Sequence, residues 1–343
     1  MSRQDRLELY DYDLPEELIA QSPAEPRDSS RLLVVPRDGP LQDRCFRDLV
    51  AYLTPRDVLV VNDSRVIPAR LRGERPGGGK AELLLLRRLA PGCWECLGKP
   101  ARRLRPGTEL RFGDLAATVT EQREAGSLVV AFQASGDPDA AVLAHGALPL
   151  PPYIRSFHGD PARYQTVYAR NDGSIAAPTA GLHFTSELLE ELKRRGVRLA
   201  SVTLHVGVGT FRPIATPDLA GHHMHAEWCE LPRETVAEIE RTRRLDGRVV
   251  AVGTTVVRTL EGAWQATGAG ALRPYSGWTE LFIRPGYRFG VVDALITNFH
   301  LPRSTLLVLV SAFAGRERIR QAYEHAIAHR YRFYSFGDAM LLL

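Results

Sequence analysis

Five short stretches of this sequence place polar, reactive side chains where an apolar strand gives way to a loop. APTAGLHFT (177–185) carries Thr179, Gly181 and His183 ahead of a helix. TLHVGVGTFRP (203–213) breaks at Gly207 and Gly209, just after His205. HHMHAE (222–227) crowds His222, His223, His225 and Glu227 together. VGTTVVR (252–258) turns through Gly253 into Thr254, Thr255 and Arg258, and TNFHLPRST (297–305) carries Asn298 and His300. Open α/β sheets hold their sites at such strand ends.

The chemistry these residues offer is of several kinds. If the 222–227 segment is extended, His225 and Glu227 share a face, which suits an acid–base pair. His223 and His225 also have the spacing of metal ligands on a strand, but spacing identifies no third ligand, and plain structural histidines remain open. The Gly253 turn offers free helix N-terminal N–H groups to a carboxylate or hydroxyl, or is simply a cap. Arg258 has the fork to clamp a carboxylate. Gly207 and Gly209 form neither the G-x-G-x-x-G fingerprint nor a phosphate loop. Cys93 and Cys96 are a lone C-x-x-C pair, which reads as two strand cysteines rather than a zinc site.

The elements that must position these groups alternate between strand and helix. Helices are expected over 14–21, 46–53, 186–195, 233–244, 255–266, 304–314 and 316–330, and strands over 32–35, 57–62, 198–205, 248–252 and 292–297. Between about 66 and 148 the character changes. Short Val-, Leu- and Thr-rich runs (81–86, 94–97, 109–112, 116–120, 128–132) are separated by Gly- and Pro-bearing turns, followed by a short helix opened by Asp137-Pro138. The expectation is an α/β catalytic domain, a mixed or barrel-like sheet flanked by helices, built from 1–65 and 149–343. A small β-barrel or sandwich (66–148) is inserted into it.

For RNA, GKPARRLRP (98–106) gathers Lys99, Arg102, Arg103 and Arg105, which could neutralise phosphates or be a solvated loop. HRYRFYSF (329–336) interleaves cations with aromatics, as an RNA-stacking surface does, or packs Phe333 and Tyr334 into a core. The net charge of +4 over 343 residues is too mild to argue for nucleic acid, and three lysines among 44 basic residues read as a compositional bias toward arginine. Four cysteines are too few for a disulfide framework. No signal peptide opens the chain and no apolar run is long enough to cross a bilayer, so a cytoplasmic protein with no membrane partner is expected.

Taken in order, longer motifs carry a resemblance. YDYDLPEELIAQSPAEPRDSSRLLV (10–34), DVLVVNDSRVIPARLRG (57–73), GKPARRLRPG, APTAGLHFT, HVGVGTFRP, H-x-M-H-x-E, GTTVVRTLE, TELFIRPGYRF (279–289), ITNFHLPRSTLLVLVSAFAG (296–315) and YRFYSFGDAMLL span the chain. Together they are similar to the S-adenosylmethionine:tRNA ribosyltransferase-isomerase (QueA) family of queuosine biosynthesis. The resemblance makes His223 a variable position, and Gly221 stands where relatives often have an aspartate. It implies transfer and isomerisation of the ribosyl part of S-adenosylmethionine onto 7-aminomethyl-7-deazaguanine in a tRNA anticodon, giving epoxyqueuosine with release of adenine and methionine. S-adenosylmethionine is then a substrate, no other cofactor and no metal are expected, and the enzyme is expected to act as a monomer. On this reading His225 and Glu227 supply acid–base function and His183 and His300 help place the base or sugar. Thr179, Gly181, His205, Gly207, Gly209, His222, Thr254, Thr255, Arg258 and Asn298 bind substrate, and Lys99, Arg102, Arg103 and Arg105 bind tRNA. A metal-dependent hydrolase and a non-catalytic RNA-binding protein are the competing readings.

Overall fold

The computed structural model describes residues 5–123, 126–207, 209, 214 and 216–343. In chain order the strands begin with β1 (Arg31–Val35), β2 (Gln42–Cys45), β3 (Val58–Asn62) and β4 (Ser64–Val66). Next come β5 (Arg70–Arg75), β6 (Gly79–Ala90), β7 (Cys93–Lys99), β8 (Glu109–Phe112), β9 (Leu115–Gln122), β10 (Leu128–Gln133) and β11 (Asn171–Ser174). The last are β12 (Arg198–Leu204), β13 (Glu227–Leu231), β14 (Val249–Val252), β15 (Tyr275–Thr279), β16 (Ala294–Asn298) and β17 (Ala339–Leu342). The helices are α1 (Pro138–His145), α2 (Ser186–Arg194), α3 (Arg233–Arg244), α4 (Thr254–Ala266), α5 (Thr305–Ala314) and α6 (Arg316–Ala328). The chain divides into one unit of Met1–Ser64, Pro152–Asn171 and Ala177–Leu343 and a second of Arg65–Pro151 and Asp172–Ala176.

The first unit is built on a nine-stranded mixed sheet ordered β15-β13-β12-β3-β14-β16-β17-β1-β2. At its centre β12, β3, β14 and β16 run parallel. Both faces of these strands are covered, which is why they read as unbroken apolar runs instead of alternating ones. Val58, Val60, Val249 and Ala251 point to one side, with residues of α3, α4, α5 and α6. Leu59, Val61, Val250 and Val252 point to the other, with Phe46, Leu49 and residues of α2. The parallel register brings the carboxyl ends of all four strands to one edge, and the chain leaving β12, β14 and β16 there carries three of the five polar motifs.

At the opposite edge Asp57 is a staple. Its carboxylate accepts from the Thr54 N–H (2.8 Å), the Arg248 N–H (2.9 Å) and Arg248 Nη2 (2.8 Å), joining the starts of β3 and β14. Burial alone would raise the Asp57 pKa, but the hydrogen bonds from Arg248 and Thr54 outweigh it and hold the carboxyl below its usual range.

The second unit is a closed six-stranded barrel, ordered β10-β7-β6-β5-β8-β9. Period-two patterning fills it: Ala81, Leu83 and Leu85 of β6 and Leu115, Ala117 and Val119 of β9 are buried. The Asp137 carboxylate accepts from the Asp139 N–H at 3.0 Å, capping α1 as the Asp-Pro signal predicts.

The structure corrects several sequence expectations. The helix expected over 14–21 is a single 3-10 turn, Glu16–Leu18. The backbone beyond it turns extended to bond with Phe333: Ile19 forms a bridge with it and the Ala20 N–H donates to its carbonyl at 3.2 Å. The helical stretch expected over 46–53 is a 3-10 helix, Phe46–Ala51. Strands β2, β4, β5, β11, β13, β15 and β17 are additions to the expected set. Phe333 and Tyr334 are buried, Phe333 with its ring 4.8 Å from Phe299 and Tyr334 with its ring 4.8 Å from Tyr153, so the 329–336 aromatics belong to the core and not to an RNA-stacking surface.

Replacing Asp57 by Asn removes the charge from the staple. The expected loss is roughly 1.5–3 kcal/mol at pH 7, read by urea unfolding.

Candidate functional site

Gly253 ends β14 with φ +92°, a left-handed conformation that favours glycine, and the chain turns at once into α4. No side chain caps that helix, so its first-turn N–H groups open toward the loops around it. Gly253, Thr254 and Thr255 line one pocket with Thr297, Asn298 and His300 from the end of β16, Ala177–Ala180 from the loop before α2, and Val206 after β12. Tyr153, Tyr334 and Ser335 close it. Four of the five motif loops thus share one pocket. The fifth, the 222–227 segment, is not in its lining.

The 3-10 turn Thr179–His183 buries Gly181 and His183. Gly181 has to be glycine, because a Cβ there would lie 2.1 Å from the Tyr168 hydroxyl. His183 stacks on Phe46 (4.9 Å between rings) and bonds Ser30 Oγ through Nδ1 (2.8 Å) and Asn298 Nδ2 through Nε2 (3.1 Å). His300 bonds Thr297 Oγ1 through Nε2 (2.8 Å), and its N–H donates to the Tyr323 hydroxyl (2.8 Å). Burial lowers the pKa of both histidines to about 3, with the charges of Arg332 and Arg27 adding to the effect at His183. Both are therefore neutral near pH 7, partners in hydrogen bonds rather than proton carriers.

Beyond β12 the chain runs past three other site candidates. His205 stacks on Trp228 (5.2 Å) and bonds Ser64 Oγ through Nδ1 (3.0 Å). The Gly207 N–H donates to Glu227 Oε1 (2.8 Å), and Gly209 lies against the His225 ring, so close that a Cβ would come 2.6 Å from it. Glu227 is buried and ion-paired with buried Arg258, whose Nε also donates to the Leu281 carbonyl (3.2 Å). The guanidinium expected to clamp a ligand carboxylate is engaged by a carboxylate of the protein. His225 is exposed, and His222 meets Phe282 edge-on (5.2 Å), its pKa lowered by burial and then by its neighbouring histidines. Among the described residues no group of three or more His, Cys, Asp or Glu is arranged to hold a metal ion. Val208 and residues 210–213 of the HVGVGTFRP motif lie outside the described residues.

Comparison with known proteins decides the family. A family described as "Queuosine biosynthesis protein" matches residues 7–342. The chain belongs to this family. Relatives named S-adenosylmethionine:tRNA ribosyltransferase-isomerase include that of Symbiobacterium thermophilum, 55% identical over 98% of this chain and 100% of the relative. That of Moorella thermoacetica is 56% identical over the same shares. A crystal structure titled S-adenosylmethionine tRNA ribosyltransferase from Thermotoga maritima is 43% identical, with a TM-score of 0.57 over 98% of this chain and 100% of that one.

In this queuosine-family chain the basic loop of the second unit is exposed. Leu104 is fully buried, while Lys99, Arg102, Arg103 and Arg105 around it are exposed, with Ala101–Arg103 forming a 3-10 turn. Among the described residues no ion pair engages these four. No helix among the described residues is long and apolar enough to cross a membrane.

Sequence reading missed Ser30, Phe46, Tyr153, Tyr334 and Ser335 as parts of the site. Ser30 and Phe46 flank β1 and β2, far in sequence from any strand-end motif. Only the GLHFT and SSRLLV motifs, each carrying one member of the Ser30–His183 pair, gave a signal.

The depressed histidine values set a pH dependence. An unfolded histidine binds a proton near pH 6.5, whereas folded His183 and His300 resist protonation down to about 3. Their contribution is full above about pH 6.5 and is lost as pH falls toward 3, by about 1.4 kcal/mol per pH unit for each group. The urea midpoint of the wild type should fall more steeply between pH 6.5 and 4.5 than that of His183→Gln. Parallel curves would contradict the assignment.

Proposed function

We propose that this chain is an S-adenosylmethionine:tRNA ribosyltransferase-isomerase, acting on 7-aminomethyl-7-deazaguanine in a tRNA anticodon to form epoxyqueuosine, with release of adenine and methionine. The observation that carries the reading is end-to-end similarity to relatives of that name, over 98% of the chain at 55–56% identity. The family match supports it over a metal-dependent hydrolase or a non-catalytic RNA-binding protein.

The sulfonium of S-adenosylmethionine acidifies its C5′ protons, so the reaction begins with a base. A neutral aminomethyl nitrogen then bonds to the sugar, the C5′–S bond breaks with its electron pair leaving on methionine, and adenine departs with the help of a proton donor. We assign proton transfer to His225, the exposed histidine beside Gly209. Glu227 anchors the same segment through the Gly207 N–H and is charge-balanced by Arg258. Val206, one residue before Gly207, lines the pocket, which ties this segment to the place a substrate would occupy. The α4 N-terminus with Thr254 and Thr255 would receive a carboxylate or sugar hydroxyl. Thr179 would contact the substrate from the loop before α2, while Gly181 gives that loop room. His205 stacks on Trp228 one residue before pocket-lining Val206, while His222 meets Phe282 outside the pocket lining. Lys99, Arg102, Arg103 and Arg105 would neutralise tRNA phosphates. S-adenosylmethionine is consumed as a substrate, in the cytoplasm where tRNA is modified, and one chain suffices.

Adenine release from S-adenosylmethionine, dependent on tRNA carrying the aminomethyl base, tests the reading. Release without tRNA, or none with it, would end it. His225→Ala should lower kcat about 100-fold or more with S-adenosylmethionine affinity nearly unchanged. Equal losses in both would remove the acid–base assignment. Reversing Arg102 and Arg103 to Glu should raise the KM for tRNA about tenfold and flatten its salt dependence. An unchanged salt slope would place tRNA elsewhere.

A further inference from the structure

Asn298 ends β16 at the pocket and is 3% exposed. Its Nδ2 donates to the Tyr334 carbonyl (3.1 Å) and to His183 Nε2 (3.1 Å). A carbonyl oxygen can only accept, so the amide atom beside Tyr334 must be the nitrogen. Both Nδ2 hydrogens are then used within the protein. Oδ1 is buried and has no hydrogen-bond partner among the described residues. Turning the amide over would set Oδ1 against the Tyr334 carbonyl and the His183 lone pair, two acceptor–acceptor contacts.

The histidine side of this lock is itself fixed. Because His183 Nε2 accepts, its hydrogen is on Nδ1 and is donated to Ser30 Oγ (2.8 Å). Phe46 stacked on the ring prevents it from rotating out of this line. Burial keeps the imidazole neutral, so Nε2 retains its lone pair. Thr255 in the same lining also carries a buried hydroxyl with no hydrogen-bond partner among the described residues.

We propose that Ser30 and His183 are positioning residues that lock the Asn298 amide, so that the pocket presents one hydrogen-bond acceptor and selects a ligand bearing an N–H donor on a purine-like edge. The inference rests on the proposed function, under which two such edges reach the enzyme: the 6-amino group of S-adenosylmethionine and the ring N–H and amine of the 7-deazaguanine base. A ligand with an acceptor in that place would meet a buried acceptor and be rejected.

The test measures S-adenosylmethionine binding by calorimetry without tRNA, the preference for it over its 6-oxo analogue S-inosylmethionine, and the KM for modified tRNA. The proteins are wild type, Asn298→Leu and Ser30→Ala, each checked for folding by circular dichroism and melting. If the donor belongs to adenine, wild type prefers the 6-amino compound by about 10- to 100-fold. Asn298→Leu then loses that preference and Ser30→Ala falls between. If the donor belongs to the tRNA base, both variants keep their S-adenosylmethionine affinity and the KM for tRNA rises about tenfold. Variants that fold yet leave affinity, preference and KM within about twofold, or lower kcat alone, overturn the proposal. Nitrogen-15 NMR of His183 in the wild type reads the lock without activity. Hydrogen on Nδ1 supports it and hydrogen on Nε2 overturns it, even if Asn298→Leu fails to fold. A wild type that neither binds S-adenosylmethionine nor releases adenine would sink the proposed function instead, and the tautomer would still decide whether the lock exists.

Discussion

Parallel strands that share a register finish together, and the pocket follows from that constraint. β3 is flanked by β12 and β14 and β14 by β16, all parallel, so Asn62, Leu204, Val252 and Asn298 end on the same edge. Backbone groups beyond those ends have no ladder to join and must find partners in side chains, helix termini or ligands. Asn62 meets part of this need by accepting from the Leu204 N–H (3.0 Å) and donating to the Leu204 carbonyl (3.0 Å), which ties two strand ends together. Gly253 resolves the third by turning into α4. Asn298 resolves the fourth by bonding Tyr334 and His183 while keeping one acceptor free of partners.

Burial then sorts the ionisable groups by what they can do. His183 and His300 lie where a charge would be desolvated with no counter-ion, so they stay neutral and act through geometry. Glu227 and Arg258 are as deeply buried but face each other as an ion pair. Such a pair adds little net stability over an apolar substitute, because desolvation offsets attraction, yet breaking it strands a buried charge. Its effect here is to hold β13, the Gly207 turn and α4 in one arrangement. His225, by contrast, is exposed and lies beside Gly209.

The parts of the fold legible in the sequence are those where burial leaves a period. The runs 57–62 and 248–252 read as strands because both faces of the sheet are covered, and 233–244 as a helix because only one face is. The change in strand spacing marked a separate all-β unit, a barrel or a sandwich, inserted into an α/β body; its closure into a six-stranded barrel was not legible. Nor was β2 (QDRC), since an edge strand has no second neighbour and this one buries none of its residues. β17 is four residues long and its partners, β1 and β16, are far away in sequence. The loops at 177, 206, 253 and 298 could be read as site-forming from their residue types. That Arg258 faces Glu227 and that Asn298 is gripped by His183 could not, since each depends on a contact between distant strands and helices that no local pattern encodes.

Ser30 and Tyr334 illustrate how a distant contact enters the site. β1 and β17 are parallel neighbours, and Asp338, 1% exposed, lies at the entry to both. Its carboxylate accepts from the Arg31 N–H (2.9 Å) and the Arg332 N–H (2.8 Å), while its own N–H donates to the Arg332 carbonyl (2.8 Å). The first bond fixes the chain just after Ser30; the other two close the loop that carries Tyr334 and Ser335. One buried carboxylate therefore sets the height of the hydroxyl that orders His183 and of the carbonyl that orients Asn298. The hydrogen-bonding character of the pocket is thus settled by residues near both ends of the chain, none of which needs to touch a substrate.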